Sequence, residues 1–211
     1  MVDTILIFEL IVLVFSVMIH EIAHGSVANS LGDPTAKNEG RLTLNPLKHI
    51  DIFGSIIVPF LLLISSAFSG GPGIIFGWAK PVPVNPINFR DQKWGSLKVA
   101  IAGPATNFAV AIFFGLVMRF INFPVSPAFM QFLSIIVIYN LSLGIFNLIP
   151  IPPLDGSHIL LNIFPIGSRK IMMFLQQYGF LILIFLIFSG GLSFLNNILR
   201  WFFALLTGAS L

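Results

Sequence analysis

The sequence contains no cysteine and spends only 9% of its 211 residues on charged side chains. The first absence excludes disulfides and any thiolate site, whether metal-binding or nucleophilic. The second lies far below the roughly 25% typical of soluble domains, and 56% of the residues are hydrophobic, with a mean hydropathy of +0.97. A chain of this composition is an integral membrane protein whose first partner is the lipid bilayer. Its net charge of +3 is too small to imply a nucleic-acid partner. Nothing at either end reads as a soluble domain, so one integral-membrane domain over 1–211 is expected.

Apolar runs cover 4–28, 52–68, 96–118, 128–148, 171–188 and 192–207, the longer ones approaching the roughly 20 residues a helix needs to cross a bilayer. The fold class this predicts is all-α, a polytopic bundle of transmembrane helices. The first run has no small-residue cleavage site and reads as a retained span, not a signal peptide. Only Ser189, Gly190 and Gly191 separate the last two runs, which read as a helical hairpin. The longest connections are 33–51 and 69–95; the second, rich in Gly and Pro, favours hairpins or extended chain. Trp78, Trp94 and Trp201 fall near predicted boundaries, where interfacial aromatics sit.

Charge is scarce, yet the first run ends in His20-Glu21-Ile22-Ala23-His24. Residues four apart share a helix face, so both imidazoles reach one ion while Glu21 stands beside it, the H-E-x-x-H arrangement of a zinc site with its general base. Ionisable groups inside a membrane cost several kcal/mol at depth, by estimates of about 2.5 upward, and tend to be functional. A catalytic zinc has three protein ligands and keeps a position open. Donors for the third are His49, His158 and the five aspartates. Asp155 stands out: Pro150, Pro152 and Pro153 stop the preceding helix and Gly156 permits the turn that follows. The same carboxylate could instead cap a helix starting near Ser157, with His158 as the substitute ligand.

Together H-E-I-A-H (20–24), A-G-P-A-T-N (102–107) and F-N-L-I-P-I-P-P-L-D-G (146–156) resemble the site-2 protease family of intramembrane zinc metalloproteases. The resemblance runs from about residue 10 to residue 160. It implies one Zn2+ held by His20, His24 and Asp155, with Glu21 as catalytic base and Asn147 as a polar group near the reacting carbonyl. It implies transmembrane proteins as substrates. The chain departs from the family's larger members in having no inserted PDZ domain, and its motif helix is the first span.

If His20, His24 and Asp155 share an ion they lie at one depth, which restricts the crossings between them. A full crossing by 52–68 would leave Asp155 on the wrong side. The region 52–95 must therefore enter and return on one side, as a re-entrant or β-hairpin piece, and irregular backbone at that depth needs protein or a wet cavity around it. With that arrangement Lys37, Arg41, Lys48, Lys80, Arg90, Lys93, Lys98, Arg169 and Lys170 share a side, opposite Arg119. Cytoplasmic connections carry the excess of Lys and Arg, which makes this a multi-pass cell-membrane protein with its active site nearer the cytoplasmic face.

Asn107 and Asn140 read as interhelical glue or as clamps for a re-entrant strand. Glu9, on the ligands' face of the helix, reads as a carboxylate snorkelling to the outer interface, and His49 as a solvated loop residue. Residues 77–85 offer an edge to which an extended substrate segment could add. The function expected is a zinc endopeptidase that cuts within or near transmembrane segments. Its alternatives are a catalytically silent homologue that binds membrane helices, against which the intact Glu21 argues, and a metal transporter, which would need polar residues continuing across the bilayer.

Overall fold

The computed structural model describes residues 2–49, 51, 80–163 and 169–209. Seven α-helices are formed by them: α1 (Val2–Ser30), α2 (Thr35–Asn38), α3 (Gly95–Phe120), α4 (Pro127–Asn147), α5 (Asp155–Ile163), α6 (Arg169–Phe188) and α7 (Phe194–Thr207). There is no strand among the described residues. Three helices, α1, α3 and α4, are long and apolar enough to cross a membrane, so the chain is a multi-pass membrane protein.

Local chemistry sets the helix ends. Asp91 accepts a hydrogen bond from the Trp94 amide at 2.9 Å just ahead of α3. Ser126 caps α4 by accepting from the Phe129 amide, and Pro127 fills the first helical position, where its missing N–H costs nothing. Pro104 lies inside α3, which continues through it. Asn147 ends α4 three residues before Pro150, and the chain then turns through Pro152 and Pro153 into α5.

Side-chain pairs fix the helix directions. Phe8 stacks against Phe132 with ring centroids 4.5 Å apart, and Asn140 donates to the Ser16 hydroxyl, so α1 and α4 run parallel. His24 contacts the Val99 carbonyl while Ser16 and His20 meet Asn107, so α3 runs antiparallel to both. The core lies between α3, α4 and α7: Ala111, Met118, Leu133, Val137, Leu141, Ile145 and Phe203 are buried together. Outward faces carry Leu6, Leu10, Phe113, Phe120, Phe185 and Trp201, all at least half exposed and suited to lipid.

The end of α1 and the start of α3 lie at the same end of the bundle. Arg90 donates its amide to the Leu31 carbonyl at 2.7 Å, and Asp33 accepts from the Asn85 amide, also at 2.7 Å. The chain therefore leaves and returns on one side between these points, as sharing one ion requires. The apolar run 52–68, and any re-entrant or hairpin course up to residue 79, lie outside the described residues. Of the expected edge at 77–85 the described part, 80–85, forms no strand; one 3₁₀ turn at Pro86–Asn88 and a turn at 92–94 follow before α3. Two prolines in Pro81-Val82-Pro83 cannot donate to a ladder, which accounts for the difference.

Candidate metal centre

His20 and His24, one turn apart on α1, are both buried, and their Nε2 atoms lie 3.0 Å from each other. Asp155, the first residue of α5, brings its Oδ2 to 3.0 Å from His20 Nε2 and 3.3 Å from His24 Nε2. These three residues form a cluster able to hold a metal ion. His158 is exposed on α5 and outside the cluster, so the helix start that could have made Asp155 a mere cap instead points its carboxylate at the imidazoles. His49 is buried, not solvated: its Nε2 meets the Thr43 carbonyl at 2.9 Å, away from the cluster.

Protons can be assigned from the outer partners. The Val99 carbonyl, 2.7 Å from His24 Nδ1, can only accept, so Nδ1 carries the hydrogen, and in the neutral ring that a metal ligand requires Nε2 is the lone pair. His20 Nδ1 lies 2.6 Å from Asn107 Oδ1. That amide cannot be turned round, because its Nδ2 donates to the Ser16 carbonyl and to Asn140 Oδ1. Asn140 is fixed in turn by donating to the Ile136 carbonyl and the Ser16 hydroxyl. As a neutral ring His20 therefore also presents the Nε2 lone pair.

Two lone pairs and a carboxylate oxygen that finds no hydrogen-bond donor thus converge in a buried site. Three acceptors cannot satisfy one another; a cation between them can. Zinc bonds of about 2.0–2.1 Å in a tetrahedron place ligand atoms about 3.3 Å apart, close to the 3.0–3.3 Å found here. Room for the ion comes from Gly103: a Cβ there would lie 2.5 Å from His20 Nε2 and closer still to His24 Nε2. The donor set and the space both fit zinc.

Glu21 is half-buried beside the cluster, and its Oε2 accepts a hydrogen bond from the Val82 amide at 2.8 Å. Asn147 spends one amide hydrogen on the Leu143 carbonyl of its own helix at 3.0 Å, as a residue satisfying a helix end would. Glu9 meets the Tyr139 hydroxyl of α4, giving it a partner inside the bundle. Asn107 and Asn140 do join helices: among the described residues they bond each other across α3 and α4, and Ser16 and His20 of α1. Spacing carried the signal for Asn107: it lies four residues after Gly103, on the same face of α3.

The sequence model of peptidase family M50 matches residues 123–189. The protein named "Putative zinc metalloprotease YwhC" in Bacillus subtilis (strain 168) is 42% identical over 183 residues, covering 83% of this chain and 78% of that protein. "Putative zinc metalloprotease Rip2" of Mycolicibacterium smegmatis (strain ATCC 700084 / mc(2)155) is 28% identical over 191 residues, covering 90% of this chain and 68% of that one. "Zinc metalloprotease MJ0392" of Methanocaldococcus jannaschii is 32% identical over 102 residues, covering 47% and 26%. No solved structure matches the chain. On the extent and identity of the match to the Bacillus protein, this chain belongs to peptidase family M50, the site-2 protease family of zinc metalloproteases.

Proposed function

We propose that the chain is an intramembrane endopeptidase that hydrolyses peptide bonds within or near transmembrane segments of membrane-anchored proteins, with His20, His24 and Asp155 holding zinc. The observation that carries this reading is the convergence of three buried acceptor atoms on α1 and α5 of a membrane bundle, with a carboxylate beside them. When bound there, zinc supplies Lewis-acid polarisation of a carbonyl and lowers the pKa of water.

The protein's own groups do the rest. Glu21 takes a proton from the attacking water as its oxygen adds to the carbonyl carbon, and delivers it to the amide nitrogen as the C–N bond breaks. One oxygen of Glu21 is held by Val82, leaving the other for this exchange. Asn147 retains a second amide hydrogen for the carbonyl oxygen as its charge grows. Asn107 and the Val99 carbonyl keep both imidazoles aimed, with Nδ1 as the donor and Nε2 turned to the shared point. The basic residues that share a side with the α1–α3 end support a site nearer the cytoplasmic face.

The test compares membranes from cells expressing the wild type with those expressing Glu21→Gln, using mass spectrometry to find proteins cut inside a transmembrane segment. Fragments that depend on Glu21 are expected. Their absence from both samples, with the wild type folded and carrying zinc, would reject the endopeptidase reading in favour of a silent helix-binding homologue.

A further inference from the structure

The end of the bundle where α1 finishes and α3 begins holds two buried side chains of opposite charge, Asp33 and Arg41, 0% and 4% exposed. Burying a charge is costly unless its hydrogen bonds are met. Neither side chain makes an ion pair among the described residues, and both spend their hydrogen bonds largely on the segment 80–88. Arg41 donates to the Lys80 carbonyl at 2.6 Å, to the Pro81 carbonyl at 3.1 Å and to the Lys48 carbonyl. Asp33 accepts from the Asn85 amide at 2.7 Å, the Asn88 side chain at 2.8 Å and Thr35. Lys80 adds its own amide to the His49 carbonyl. This strap is fastened at both ends.

Between the fasteners the strap crosses α1. Its Val82 side chain enters the notch at Gly25, where a Cβ would lie 2.8 Å from Val82 Cγ1. The Val82 amide is then 2.8 Å from Glu21 Oε2. In Pro81-Val82-Pro83 it is the one N–H available, and the flanking prolines stiffen the backbone that carries it. A flexible glutamate beside an ion has several rotamers; a fixed donor selects one.

We infer that the Val82 amide is a positioning group for Glu21, and that Asp33 and Arg41 act on the reaction through it by fastening the strap. The inference rests on reading Glu21 as the base. With one carboxylate oxygen anchored, the other is held towards the reacting centre, so the strap sets turnover more than substrate affinity. Asp33 and Arg41 touch none of the reacting atoms.

Amide exchange followed by mass spectrometry on the full zinc-loaded chain tests the contact without reference to activity. A peptide spanning 80–83 reports Val82 alone, because Pro81 and Pro83 have no amide hydrogen and Lys80 is its N-terminal residue. Val82 should exchange slowly in the wild type and in Glu21→Gln, which keeps an acceptor oxygen, and at least about tenfold faster in Glu21→Ala and Arg41→Ala. Equal exchange in the wild type and Glu21→Ala overturns the contact, whatever the fate of the protease reading. For the role, Val82→Pro and Arg41→Ala should each keep zinc and lower kcat about tenfold or more, with KM within about twofold. A kcat unchanged in either zinc-loaded variant, or a loss wholly in KM, overturns positioning. Should Val82→Pro fail to hold zinc, Arg41→Ala and the exchange result decide. Absence of Glu21-dependent cleavage in the wild type rejects the endopeptidase reading alone, and the exchange result still stands for the contact.

Discussion

Two buried polar clusters lie within a few turns of each other, and they meet the cost of burial in opposite ways. At the candidate metal centre His20, His24 and Asp155 turn acceptor atoms towards a common point and leave Asp155 Oδ2 without a donor. At the strap Asp33 and Arg41 meet backbone donors and acceptors of their own chain. The first cluster offers acceptor atoms that a cation would satisfy, which makes it the candidate site. The second leaves one donor, Arg41 Nε, without a partner, but both of its charged ends hydrogen-bond the segment 80–88, which marks it as a fastening. Burial and ionisable residue type do not separate them; the direction of each hydrogen bond does.

The largest expected effect fills the space at the candidate site. Gly103→Ala should cut bound zinc to less than about a tenth per chain, measured by elemental mass spectrometry, because its Cβ would occupy the point the ligands share. Retained zinc would mean that the imidazoles aim elsewhere. Next, Asn107→Leu removes the acceptor that fixes His20, and zinc affinity should fall about 10–100-fold in a competition titration with a chelator. Interhelical hydrogen bonds in membrane proteins average only about 0.6 kcal/mol, so the fold should survive that change.

At the fastening the effects are smaller and depend on pH. Burial alone would raise the pKa of Asp33, but hydrogen bonds from Thr35, Asn85 and Asn88 outweigh it and hold the carboxyl below its ordinary range. A depressed carboxylate contributes stability above its unfolded value, near 3.9, and loses it only as pH falls through the lower folded value. Val82 amide protection relative to the pH-corrected intrinsic rate should therefore hold from neutral pH to about pH 4.5. Asp33→Asn should weaken it throughout. The smallest expected effect is that of His158→Ala: exposed and outside the cluster, it should leave zinc content unchanged and stability within about 0.5 kcal/mol.

Much of the candidate site was legible in the sequence, because its residues follow helix periodicity. Four-residue spacing put His20 and His24 on one face, and three prolines announced that Asp155 starts a new element. The requirement of equal depth also anticipated that the chain returns on one side before α3. The fastening was not legible. Asp33 and Arg41 sit in irregular connections, where no period predicts burial, and their partners are backbone atoms that carry no residue identity. His49 was misread as solvated for the same reason. Asn107 shows the intermediate case: its place inside an apolar run marked it as a hydrogen-bonding group, but only its contact with His20 Nδ1 shows which residue it serves.

The most direct test of the account is zinc X-ray absorption on the purified wild-type protein. One zinc per chain is predicted, with two imidazole ligands and the remaining scatterers oxygen at about 2.0–2.1 Å. A third imidazole, or a folded protein that takes up no zinc at all, would contradict the assignment of His20, His24 and Asp155 as the metal centre.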